Sequence, residues 1–98
     1  MPMLLDDLLN QREVIRCLAR QHGAGRLRVF GSAVRREETP GSDVDFLVEL
    51  PRGYDLFSQR LSLAEQLSRL LSRPVDLVPE HELSPHIQAR VLQEAVDL

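Results

Sequence analysis

The sequence predicts an α/β (α+β) domain in which helices pack on one small central sheet of three strands. Three observations carry this. Apolar residues recur at helical spacing near both ends of the chain and after residue 56. The run Asp43 to Leu50 alternates with the two-residue period of a strand. Two further short, apolar runs stop abruptly at Gly31 and Pro79. The 98 residues suffice for one compact domain over 1–98 and are too few for two. Apolar residues make up 43% of the chain but aromatics only 4%, so the core must be built from Leu, Val, Ile and Ala.

In order, the first helix is expected over Leu4 to Gln21, with Leu4, Leu8, Ile15 and Leu18 as its apolar stripe. His22-Gly23-Ala24-Gly25 ends it, because glycine accepts the left-handed cap. Arg26 to Phe30 reads as a strand, and Arg35 to Ser42 as a polar loop turning at Pro40-Gly41. In the next strand Val44, Phe46, Val48 and Leu50 share one face, and Asp43, Asp45, Leu47 and Glu49 the other. Pro51-Arg52-Gly53 closes it. Asp55 then caps a helix over Leu56 to Ser72 that buries Leu63, Leu67, Leu70 and Leu71. Pro74 to Val78 forms the third strand. Ser84-Pro85 opens a last helix whose stripe is Ile87, Val91, Ala95 and Val96.

Composition narrows the function. A net charge of −3 does not suggest a surface for phosphate backbones, so direct nucleic-acid binding is not expected. Every basic residue is Arg, so any phosphate contact is a guanidinium contact. The single Cys17, among Ile15, Leu18 and Ala19, reads as a small buried hydrophobe rather than a nucleophile. His22, His81 and His86 show no zinc-ligand spacing with it, and His81 and His86 read as solvated. The acidic start of the chain and the lack of a long apolar run point to a cytoplasmic protein.

Three features carry chemistry. Gly31-Ser32 follows a strand, where glycine lets the backbone approach an anion and Ser32 with the following N–H groups can bond phosphate oxygens. By itself such a turn is usually only a turn. In Ser42-Asp43-Val44-Asp45 the strand period puts two carboxylates on one face, ~6–7 Å apart along the backbone. Their repulsion calls for something positive, and a hard divalent cation such as Mg²⁺ takes oxygen ligands of this kind. An isolated Asp-x-Asp at a solvated strand start is the plainer reading. Asp76 lies inside Val75-Asp76-Leu77-Val78, where an unpaired carboxylate is expensive if buried and ordinary at a sheet edge. If the strands adjoin, the three acids form one cluster, able to hold two ions for phosphoryl transfer.

Together, Val29-Phe30-Gly31-Ser32-Ala33-Val34-Arg35, Ser42-Asp43-Val44-Asp45-Phe46-Leu47-Val48 and Val75-Asp76-Leu77-Val78, closed by Val91-Leu92-Gln93-Glu94-Ala95-Val96, span nearly the whole chain. The set resembles the nucleotidyltransferase superfamily that includes DNA polymerase beta and the kanamycin nucleotidyltransferases. It is most similar to the minimal nucleotidyltransferases, the MNT proteins. One departure is Arg36, where the family often has Gly. The resemblance implies a single-domain nucleotidyltransferase fold with a small mixed sheet of three strands and about four helices. It implies attack of a hydroxyl on the α-phosphate of ATP, with Asp43, Asp45 and Asp76 as catalytic and metal-holding acids. Gly31, Ser32, Arg35 and Ser42 would contact the nucleotide. It further implies a helical HEPN toxin as partner, silenced by AMP transfer to a tyrosine hydroxyl; a homo-oligomer is also compatible. A binding module that neutralises its partner by contact alone, or an enzyme acting on a small molecule, are the alternatives.

Overall fold

A computed structural model describes residues 3–98. The reading of the chain's start rests partly on Met1 and Pro2, which lie outside the described residues. The first helix is two, α1 (Leu4–Asn10) and α2 (Arg12–Gln21), broken at Gln11. An unbroken helix would run about 27 Å, against about 17 Å for a five-residue strand. The break falls in Asn10-Gln11-Arg12, which has no apolar anchor. It lets Leu4, Leu5 and Leu8 of α1 and Ile15 and Ala19 of α2 reach one core. α2 stops where expected, at Gly23 with φ 73°. His22 is fully used there: its ring bonds the Leu18 carbonyl at 2.7 Å and Ser62 Oγ at 3.1 Å, joining α2 to the helix across from it.

β1 (Leu27–Phe30) leads through Gly31 into a single helical turn, α3 (Ser32–Arg35), and β2 (Val44–Val48) follows the polar loop. Asp55 accepts the Ser58 N–H at 2.8 Å and opens a π-helical turn, Leu56–Leu61, that continues as α4 (Ser62–Leu71). β3 (Val75–Pro79), a 3₁₀ turn (Glu80–Glu82), α5 (Pro85–Glu94, capped by Ser84) and β4 (Val96–Asp97) complete the described chain. The sheet order is β3-β2-β1-β4, with β2 parallel to β3 and β1 antiparallel to both β2 and β4.

The sheet thus has four strands where three were expected. The helical stripe that seemed to continue through Ala95 and Val96 ends at Glu94; Ala95 is extended, and Val96 pairs with Val29. The free edge of β1 supplies the reason, since its backbone groups need partners. The Leu98 N–H donates to the Leu27 carbonyl at 3.1 Å and extends that pairing.

One face of the sheet carries Leu27, Val29, Val44, Phe46, Val48 and Leu77 against α1, α2 and α4, and holds the main core. The other face is only partly covered: Leu47, Phe30 and Val78 pack with Leu83 and with Val91 of α5. Two expectations of burial fail. Ile87 is 45% exposed, leaving Val91 as the only buried residue of α5. Cys17 is exposed, lying about 200° around α2 from the buried Ile15.

Phe46 is fully buried, whereas Phe57 in the π-helical turn is 76% exposed. Phe46→Ala is expected to lower stability by about 3–5 kcal/mol, and Phe57→Ala to change it by no more than about 0.5 kcal/mol. Urea denaturation of the two variants checks this ordering.

Candidate active site

Asp45 is the hinge of the candidate site, because β2 pairs on both sides of it. Across the antiparallel edge its Cα partner is Phe30, the residue before Gly31. Across the parallel edge it is Asp76. Strand neighbours in register project from the same face. Asp45 and Asp76 therefore stand side by side, on the face that α5 only partly covers. Asp43 lies just before β2, and the Val44 N–H bonded to the Pro74 carbonyl at 2.9 Å holds that end against the approach to β3.

Asp45 is half-buried, while Asp43 and Asp76 are exposed. Of the two settings open to Asp76, buried or at a sheet edge, the structure has the second. β3 is an edge strand of the sheet, so water reaches the carboxylate. Burial pushes the Asp45 carboxyl above its ordinary value; the Asp76 and Asp43 charges push it further, and Arg35 acts against them. Among the described residues, no three His, Cys, Asp or Glu side chains form a ready-made metal cage. Like charges side by side repel, and the exposure of Asp43 and Asp76 leaves both carboxylates open to solvent.

Gly31 is required twice over. Its φ of 80° with ψ of −150° belongs to a region that essentially only glycine adopts. A Cβ there would also collide with Oδ2 of Asp45. The turn and the central carboxylate are therefore in van der Waals contact, and a group bonded to one is within reach of the other. This cradle, together with an oxygen-only donor set, fits a hard divalent cation carrying phosphate groups. Ser32 is half-buried at the start of α3, and Arg35 is exposed at its end.

Ser42 is placed differently from the other expected residues. Its Oγ takes the Thr39 N–H at 2.8 Å and meets Thr39 Oγ1 at 2.8 Å, closing the turn through Pro40-Gly41. The hydroxyl is thus occupied in presenting Asp43. Arg36 adopts the left-handed conformation, φ 57° and ψ 38°. That conformation favours glycine and disfavours other residues by about 1 kcal/mol. Arg36 offsets this with hydrogen bonds to the Asp6 carboxylate at 3.2 and 3.3 Å.

Glu94 carried no expected role, yet it reaches the site from the end of α5. Its Oε1 accepts the Gly31 N–H at 3.0 Å and Arg35 Nη1 at 3.1 Å. An acid at a helix C-terminus opposes the helix dipole and needs a compensating partner. The sequence carried no such signal, because the helix was expected to run on through Val96. A concave space of about 330 Å³ lined by Arg16, Arg20 and Arg26 lies at the other end of β1, away from the acids.

Known proteins share this fold. The description of a nucleotidyltransferase domain matches residues 11–98. The chain belongs to that family of enzymes, and within it to the minimal nucleotidyltransferases. A solved minimal nucleotidyltransferase, provisionally so described, superposes with a TM-score of 0.83 at 41% identity over 98% of this chain and 97% of its own. A Methanocaldococcus jannaschii chain, provisionally named a protein adenylyltransferase, is 35% identical over 90% of this chain and 92% of its length. The protein adenylyltransferase MntA of Thermococcus cleftensis is 39% identical over 81% of this chain and 79% of its own.

The raised proton affinity of Asp45 has a consequence for stability. The folded state holds that proton at pH values where the unfolded chain has released it. Native stability therefore falls as pH rises from the ordinary carboxylate range through the raised one, and stays lowered at neutral pH. In EDTA at pH 7, Asp45→Asn is expected to melt at a higher temperature than the wild type. The gain should vanish as pH falls below the ordinary carboxylate range. Thermal melts across pH check both points, and a lower melting temperature at pH 7 contradicts them.

Proposed function

We propose that this chain transfers AMP from ATP to a hydroxyl, of a tyrosine, on a HEPN-type helical partner and so acts as an antitoxin. The observation that carries the reading is the placement of Asp45 against Gly31 on one side and in register with Asp76 on the other. An anion-binding turn and paired acids at one sheet end are what nucleotidyl transfer requires. Names and complexes of relatives support it. Besides the adenylyltransferases above, a solved complex joins an MNT antitoxin to a tri-AMPylated HEPN toxin of Shewanella oneidensis. It has a TM-score of 0.65 and 25% identity over 91% of this chain and 68% of the matched one. A further toxin–antitoxin structure, with AMP-PNP, has a TM-score of 0.73 at 26% identity over 90% of this chain and 71% of the matched one.

In this reading Asp43 and Asp45 hold Mg²⁺ or another divalent cation, with Asp76 as the further ligand. When bound, the cation neutralises the triphosphate and the charge that develops on the oxygens around the α-phosphorus. Gly31, having no side chain, lets the phosphates approach the turn, Ser32 binds them, and Arg35 adds a guanidinium. The acceptor hydroxyl oxygen attacks the α-phosphorus, the bond to the bridging β-phosphate oxygen breaks, and pyrophosphate leaves. Asp76 takes or orients the hydroxyl proton. Its place on an edge strand leaves it open to a side chain brought by a second molecule.

Incubation with the HEPN partner, Mg²⁺ and α-phosphate-labelled ATP tests the proposal. The wild type is expected to label the partner. Asp43→Asn and Asp45→Asn keep the side-chain shape but remove the charge, so labelling should fall by about two orders of magnitude or more, while partner binding persists. If both variants protect cells as well as the wild type and no label appears, the chain neutralises by contact and not by catalysis.

A further inference from the structure

We infer that Glu94 is a positioning residue for the triphosphate: from the end of α5 it holds both the Gly31 N–H of the turn and the Arg35 guanidinium in place. This rests on the nucleotidyl-transfer reading above. Both Glu94 oxygens lie 3.1 Å from Arg35 Nη1, and Oε1 also takes the Gly31 N–H at 3.0 Å. Its side chain is only 18% exposed. Its backbone cannot drift, because Val91 one turn earlier is buried and Val96 two residues later pairs with Val29.

The geometry separates positioning from competition. Glu94 engages a single nitrogen of the Arg35 fork. Glu37 stands 3.6 Å from Nε, and the Arg35 side chain remains 39% exposed. The guanidinium is thus clamped at Nη1, and its Nη2, which makes no hydrogen bond among the described residues, is left for a phosphate oxygen. Without the clamp, Arg35 would be a mobile cation beside Asp43, Asp45 and Asp76. Direct pairing with those acids would put it where the metal must sit. The Gly31 N–H would also lose its partner, at a residue whose conformation glycine alone sustains.

The test measures Mg²⁺·AMP-PNP binding to the wild type, Glu94→Ala and Glu94→Gln, with amide and arginine side-chain ¹⁵N spectra of each protein before nucleotide is added. Glu94→Ala is expected to weaken binding about tenfold, the loss of one charge-assisted contact. It should also shift the Gly31 amide and Arg35 Nε signals. Glu94→Gln keeps an oxygen for both donors and is expected to restore the spectra and most of the affinity. Wild-type binding with an unaltered Glu94→Ala affinity overturns the inference and leaves the transfer reading standing. Tighter binding by either variant, Glu94→Gln included, makes Glu94 a competitor of phosphate and also overturns it. A wild type that binds no Mg²⁺·AMP-PNP overturns the transfer reading itself, and this inference with it.

Discussion

The pairing of β2 with β1 on one edge and β3 on the other sets both the core and the acids, since strand side chains alternate between the two faces. With Val44, Phe46 and Val48 inward, Asp45 and Leu47 must point to the opposite face. A slip of one residue would drive Asp45 into the core and expose Phe46, so the register is enforced by apolar burial on one face. The same register sets Asp45 beside Asp76 and brings it against Gly31. Hydrophobic packing under the sheet thus positions charged groups above it.

That arrangement has an electrostatic consequence. Three acids share one sheet end, in a chain whose net charge is already −3. Burial and the neighbouring carboxylates raise the proton affinity of Asp45, so its charge is disfavoured at this end of the sheet. A cation bound there would offset this, linking ligand binding to stability. Arg35 is a counter-charge to Asp45, but it also pairs with Glu94 and Glu37.

Much of this was legible in the sequence because its signals are local and periodic. Alternation over Asp43 to Leu50 separated core from acid face correctly, and Gly23, Asp55 and Ser84 marked element ends where the structure has them. The failures have a common cause: each depends on what lies across space. Val96 fits a helical stripe, and only the vacant edge of β1 turns it into a strand. The break at Gln11 answers to the size of the sheet. Glu94 touches Gly31 at a sequence separation of 63, beyond any local pattern. Arg36, a departure from the family's usual Gly, proves to hold the left-handed conformation that glycine favours.

The acids aligned by β2 and β3 are proposed to form one cation site beside the Gly31 turn. Crystals grown with AMP-PNP and Mn²⁺ test it directly, because anomalous scattering locates the ion independently of any refined coordinates. A Mn²⁺ peak is expected at Asp43 and Asp45, within reach of Asp76, with triphosphate oxygens completing its shell against Gly31 and Ser32. Nucleotide bound elsewhere, or a Mn²⁺ peak that avoids Asp45, would contradict the proposed site.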